Sequence, residues 1–194
     1  ESKRQGAWCG GYRDHQVIDG KEITPVVTIV GNFTPPAGDM PALLSMDDVL
    51  TLFHEFGHGL QALFSENTYS STTVAWDIVE LPSQIMEHWV TEPEVLAMYA
   101  KHYQTGEVIP IELVEKVRNS SYFNTGFDNV EVMAASLLDM AYYSLEAPVQ
   151  VDPQKFEKET MKKIGLIPEI EPRYRTTYFL HMIDGYDAGY YVYT

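Results

Sequence analysis

Apolar side chains are spaced for a helix across the middle of the chain, where Val49, Leu50, Leu52, Phe53, Phe56, Leu60 and Leu63 recur at intervals that cover much of a cylinder. Ser45 followed three residues later by Asp48 is a capping-box-like start, so a largely buried helix is predicted across Asp47 to Phe64. Before it, Gly6 to Thr34 reads as extended structure. GAWCGGYRD leads to a turn at Asp19-Gly20 and then to the β-branched run TPVVTIVGNF, which together predict a small sheet. Such a strand can pack against the helix or run beside a cleft and pair with extended peptide backbone. Pro35, Pro36, Gly38 and Pro41 interrupt the pattern ahead of the helix. Beyond Phe64, SENTYSSTT reads as a loop, and WDIVELPSQIMEHWV as a second helix in which Pro82 marks the first turn or a kink. Helical rhythm continues through PEVLAMYAKHY, IPIELVEKVRN, DNVEVMAASLLDMAYYSLE and DPQKFEKETMKKIG, the last opened by an Asp152-Pro153 cap and first-turn pair. The predicted fold is mainly α with a small N-terminal β-sheet: a sheet-rich lead-in over 1–40, two site-bearing helices over 45–92, a helical scaffold over 93–170 and a tyrosine-rich loop over 171–194.

Composition narrows the partners. The 194 residues are 45% hydrophobic and 21% charged, enough to bury a core, and one domain is the default. A formal net charge of −15 repels phosphate polyanions, so neither nucleic acid nor an anionic membrane is an expected partner, whereas peptides are. Cys9 is the only cysteine, which rules out an intrachain disulfide, favours a reducing compartment and makes a cytoplasmic location the expectation; Cys9 itself reads as a small apolar residue. No apolar run is long enough to span a bilayer and no signal peptide opens the sequence. A start at Glu1 rather than Met and a stop at Thr194 inside an aromatic run lead us to expect a piece of a longer protein, with its remainder as a further partner.

The chemistry sits in the central helix. His54 and His58, four apart, share one face about a turn from each other, roughly 6 Å, where two imidazoles can meet one metal ion. Glu55 stands beside the first histidine, placed to take a proton from metal-activated water. The plainer reading of the two histidines is a structural one, which requires polar partners inside an apolar helix. Gly57 in mid-helix costs about 1 kcal/mol relative to Ala, so a close approach by substrate or by another helix is expected there. Glu80 follows His58 by 22 residues, enough for one helix to end and a second to return a carboxylate to the same ion. The competing reading joins Asp77 and Glu80 in a capping box. Glu87, two turns on, either accepts a hydrogen bond from a ligand histidine or faces solvent. In the last stretch Tyr178, Tyr186, Tyr190, Tyr191 and Tyr193 crowd around Gly185 and Gly189. They read either as a mobile loop donating to an oxyanion or as aromatic core.

Four stretches in order, GAWCG, PALLSMDDVLTLFHEFGHGL, DIVELPSQIMEHW and HMIDGYDAGYYVY, resemble the thimet oligopeptidase and peptidyl-dipeptidase zinc metallopeptidases. PALLSMDDV and MEHW are closest to the Dcp-like peptidyl-dipeptidase branch. The resemblance implies a zincin-like, mostly helical fold with a deep narrow channel, of which this chain is the catalytic core. It implies one zinc ion on His54, His58 and Glu80 and a general base at Glu55. Substrate and transition-state contacts are implied at His181, Tyr186, Tyr190 and Tyr193. Gln61 stands where the family usually has His, Asp184 where it often has Gly, and the loop before Glu80 is short. The implied activity is hydrolysis of peptide bonds in short peptides, by release of C-terminal dipeptides or by internal cleavage as an oligopeptidase; a non-catalytic peptide-binding module is the alternative from another class.

Overall fold

The computed structural model describes residues 3–67, 69, 74–146, 148 and 150–194. About 49% of the described residues are helical. The chain divides into two compact units, Glu1–Ala75 with Val79–Arg118, and Trp76–Ile78 with Asn119–Thr194.

The first unit opens with four strands, β1 (Trp8–Arg13), β2 (Gln16–Ile18), β3 (Lys21–Ile23) and β4 (Val26–Val30). They make two separate antiparallel ladders, β1 with β4 and β2 with β3, where a single small sheet was expected. The reason lies in the outer ladder, whose register slips between Gly11 and Arg13, the kind of irregularity that bends a strand out of plane and ends its pairing. The inner hairpin turns at Asp19-Gly20 as predicted, with φ of 51° and 74°, the left-handed pair that matches the twist of the flanking strands. His15, buried, anchors this hairpin: its Nδ1 donates to the carbonyl of Asn67 (2.9 Å) and its Nε2 to Glu22 Oε1 (3.0 Å).

Helix α1 (Met46–Leu63) packs on the β1–β4 ladder and on α2 (Leu81–Glu87). Its capping box forms in full, the Ser45 hydroxyl accepting from the Asp48 amide (3.1 Å) and the Asp48 carboxylate from the Ser45 amide (3.0 Å). The expectation that α1 is largely buried does not hold. Glu55, Gly57 and Gly59 are its buried residues, while Leu52, Phe56 and Leu63 remain exposed. Periodicity alone does not say how much of an apolar helix surface its neighbours cover. Pro82 lies in the first turn of α2. A 3-10 turn over His88–Thr91, α3 (Pro93–Tyr99) and α4 (Ile111–Ser120) follow. Of the predicted loop over 65–73, only residues 65–67 and 69 are among those described.

The second unit is built on α5 (Thr125–Tyr143) and α6 (Pro153–Ile164). The Asp152 carboxylate caps α6 through the Lys155 amide (3.0 Å), Pro153 opens it, and Gly165 with φ 79° closes it. Ala134, Leu138 and Met161 make one buried cluster. Ala135, Phe179, Met182 and Tyr190 make another. Glu157, buried on α6, accepts from the Arg175 guanidinium, the Thr176 amide (2.7 Å) and the Thr176 hydroxyl (2.9 Å), fixing the start of the C-terminal segment. That segment, expected as a loop, winds through 3-10 turns at Thr176–Tyr178, Leu180–Met182 and Tyr190–Tyr193. No helix among the described residues is long and apolar enough to cross a membrane.

Candidate metal centre

On α1, regular helix geometry places His54 and His58 on one face, with ring centroids 5.0 Å apart and planes nearly perpendicular. Glu80, 1% exposed, stands at the N-cap of α2 without using its side chain as a cap, so the competing capping-box reading is not realised. Its Oε2 lies 3.1 Å from His54 Nε2 and 3.2 Å from His58 Nε2. One donor atom from each of the three residues falls within 4.8 Å of the others.

What allows this convergence is Gly57. A Cβ there would stand 2.6 Å from both the Pro82 carbonyl oxygen and the Ser83 Cα, so only glycine lets the backbone of α2 lie directly on α1 and bring Glu80 over the histidines. The close approach expected of this glycine is by a helix. Ser83, fully buried, accompanies it, its hydroxyl lying 2.9 Å from Glu80 Oε2 and 2.9 Å from the Glu80 carbonyl. A hydroxyl has one proton to donate, so these two acceptors share it.

Glu87 meets the first histidine from the other side. His54 Nδ1 donates to Glu87 Oε1 at 2.6 Å. With that proton committed, a neutral His54 presents the lone pair of Nε2 to Glu80 Oε2, and His58 Nε2 points at the same oxygen. Electron-rich atoms converging in this way repel unless a cation lies among them. In the metal-free chain a proton takes that part: burial works to lower the His54 pKa, but hydrogen bonds and charge from Glu80 and Glu87 outweigh it and raise it to about 9. A divalent metal satisfies the same donors better, and two imidazoles with one carboxylate are a set that suits zinc.

Glu55 lies on the next position of α1, buried at 8% exposure. Its Oε2 is a buried side-chain oxygen with no hydrogen-bond partner among the described residues. Burial pushes its carboxyl upward, the charges of His54 and His58 draw it down, and Glu80 adds a smaller upward push. A buried carboxylate oxygen left without a partner is costly to maintain and is characteristic of a group that acts on something bound. Cys9 of β1 is close enough for Glu55 to raise its thiol pKa, after burial as the main cause, which fits the reading of Cys9 as an unreactive packing residue.

The C-terminal residues singled out from the sequence lie in the second unit. His181, Tyr186 and Tyr193 are half-buried and touch one another, with ring centroids 5.5 Å apart for His181–Tyr186, 6.1 Å for His181–Tyr193 and 5.4 Å for Tyr186–Tyr193. Trp76 stands edge-on to Tyr186 at 5.3 Å. Tyr190 differs from its neighbours. It is 3% exposed, set against Phe179 and Tyr174 in a buried cluster, and its hydroxyl is held by burial well above the ordinary tyrosine range. Tyr178 and Tyr191 are exposed. Ser83 and Trp76 escaped the sequence reading; the signal for Ser83 was its place three residues after Glu80, in reach of that carboxylate on a helical turn.

Comparison with known proteins follows the same residues. The family profile for Peptidase family M3 matches residues 1–194. A dipeptidyl carboxypeptidase of Escherichia coli strain K12 is 45% identical over 199 residues, covering 100% of this chain and 29% of that protein. Oligopeptidase A of the same organism is 36% identical over 205 residues, again covering 100% of this chain and 29% of its own length. A mitochondrial intermediate peptidase 1 of Cryptococcus neoformans is 34% identical over 178 residues, 90% of this chain and 23% of that protein. The chain thus spans less than a third of the length of these relatives.

Proposed function

Since the chain belongs to Peptidase family M3, we propose that the protein carrying it hydrolyses peptide bonds in short peptides with one zinc ion per chain, held by His54, His58 and Glu80. The observation that carries this reading is the convergence of those three donors within 4.8 Å beside Glu55 Oε2, a buried oxygen with no hydrogen-bond partner among the described residues. When bound, zinc supplies a Lewis acid that polarises the scissile carbonyl and acidifies water. Glu55 is the general base, accepting the proton of the attacking water and passing it to the departing amine. Glu87 holds the Nδ1 proton of His54 and so keeps Nε2 free for the metal, while Ser83 orients the Glu80 carboxylate. Tyr186 and Tyr193 donate hydrogen bonds to the oxyanion, and His181, in ring contact with both, helps to seat the substrate.

Release of C-terminal dipeptides is the finer reading, supported by the 45% identity to a protein named dipeptidyl carboxypeptidase against 36% to oligopeptidase A. Internal cleavage of oligopeptides is the alternative, and a set of short peptides with free or amidated C-termini separates the two. A module that only binds peptides has no use for a buried base beside a metal site, and Glu55 speaks against it. The experiment is Glu55→Gln in the full-length protein. Turnover of a short peptide should fall by roughly 10²–10⁴-fold with zinc retained. Turnover near wild type would place the base elsewhere.

A further inference from the structure

Glu131, Ala135, Asp139 and Tyr143 follow one another at four-residue steps on α5 and so form a single ridge. Each holds a different point of the C-terminal segment. The Glu131 carbonyl accepts from the Arg173 amide at 3.1 Å. Ala135, fully buried, packs in a cluster with Phe179, Met182 and Tyr190. The Tyr143 hydroxyl donates to the Met182 carbonyl at 2.5 Å.

Asp139 makes the most directed contact. It is fully buried, and no lysine, arginine or histidine pairs with it among the interactions of the described residues. Its Oδ1 accepts from the Ala188 amide and its Oδ2 from the Tyr190 amide, both at 3.2 Å, and the Gly189 amide is also turned toward it. Successive N–H groups reach one carboxylate only when the backbone curls back on itself, and Ala188 carries the cost of that curl with a left-handed φ of 57°. A buried carboxylate gathering consecutive amides fixes a backbone path far more narrowly than apolar packing does, because three directions must be met at once. The path it fixes joins Tyr186 to Tyr193.

We propose that Asp139, with Tyr143 at the end of the same ridge, is a positioning residue of the peptidase, holding the 188–190 backbone and with it the mutual arrangement of Tyr186 and Tyr193. The proposal rests on the oxyanion role given to those tyrosines above. Asp139→Asn preserves volume and one acceptor oxygen but sets an amide NH₂ against backbone N–H groups. In the full-length enzyme it should lower turnover on a short peptide roughly tenfold or more, move KM by less than about threefold and leave zinc content unchanged. In a Tyr186→Phe, Tyr193→Phe background the same change should cost less than about threefold, because the groups it acts through are gone. Tyr143→Phe removes only the hydroxyl that donates to the Met182 carbonyl and is expected to follow the same pattern with a smaller loss, which keeps the test open should Asp139→Asn not fold. Turnover within about twofold of wild type, or an equal loss in both backgrounds as general destabilisation produces, overturns the proposal. The two readings fail separately. Wild-type turnover in the double-Phe enzyme removes the oxyanion role, whereas wild-type protection of the 188–190 amides against hydrogen exchange in Asp139→Asn removes the positioning role.

Discussion

In the proposed zinc site, His54 is where proton and metal compete for one lone pair. In the metal-free chain burial disfavours its charged form, yet the carboxylates of Glu80 and Glu87 raise its pKa from an ordinary 6.5 to about 9. A raised histidine pKa stabilises the fold fully below the unfolded value and loses that contribution as pH climbs through the folded one. Zinc needs the same nitrogen deprotonated, so its affinity should rise with pH between about 6.5 and 9, with close to one proton released per ion bound across the lower part of that range. Chelator competition at several pH values measures this, and a flat affinity would contradict it. Glu87→Gln removes one of the two carboxylates and weakens the hydrogen bond to Nδ1. Zinc affinity should drop about 10–100-fold, and the pH above which it levels off should move downward. Glu87 was visible in the sequence only as a glutamate on the right helical face. A carboxylate facing an imidazole and one facing water carry the same spacing, and the 2.6 Å contact is what separates them. Ser83 gave less still, since serine has no chemistry of its own until a buried carboxylate stands 2.9 Å away.

Between elements, the crossing of α1 and α2 decides whether a site exists. Gly57→Ala forces a Cβ within 2.6 Å of the α2 backbone, which has no flexible side-chain end to move aside. The change should destabilise the fold by roughly 1–3 kcal/mol and, by displacing Glu80 from the histidines, weaken zinc binding as well. Gly59→Ala is the control. Its Cβ meets Ile29 Cδ1 at 3.3 Å, the tip of a side chain that can shift, so the effect should stay within about 1 kcal/mol and spare the metal. Thermal unfolding and zinc retention of the two variants check the ranking, and equal effects would refute it. At this scale the caps were the most legible features: Ser45 with Asp48, and Asp152 with Pro153, announce helix starts because few other residues satisfy orphan amides. The 3-10 turns between Thr176 and Tyr193 were not legible, since turns of three or four residues are too short to show a period. Gly185, read from the sequence only as a place where the loop can move, takes a left-handed φ of 96°, and the left-handed φ of 57° at Ala188 is hidden, because nothing in an alanine announces a conformation stabilised by Asp139.

At the scale of the molecule, the metal-binding face lies wholly within the first unit, whereas the tyrosine cluster belongs to the second. Metal capture is therefore expected to require only donors between His54 and Glu80, and full turnover to require the whole protein, since the relatives are more than three times as long as the part matched here. Apolar side chains left exposed on α1 (Leu52, Phe56, Leu63) and α5 (Phe127, Val130, Met133, Leu137) should make the 194-residue chain self-associate on its own despite a net charge of −15. Sedimentation velocity at rising concentration tests this, and a monomer throughout would count against it. The mainly helical class and the convergence of His54, His58 and Glu80 were readable because the H-E-x-x-H spacing and a glutamate 22 residues on allow three side chains to meet. How α5 threads the C-terminal turns was not, because it depends on contacts between residues about fifty positions apart. The central claim, that His54, His58 and Glu80 form one zinc site with Glu55 as base beside it, is tested most directly by elemental analysis of the dialysed chain next to its Glu80→Ala and Glu55→Gln variants. The predicted result is about one zinc per chain for the unaltered protein and for Glu55→Gln, and close to none for Glu80→Ala. Full zinc occupancy in Glu80→Ala, or none in the unaltered chain, would contradict it.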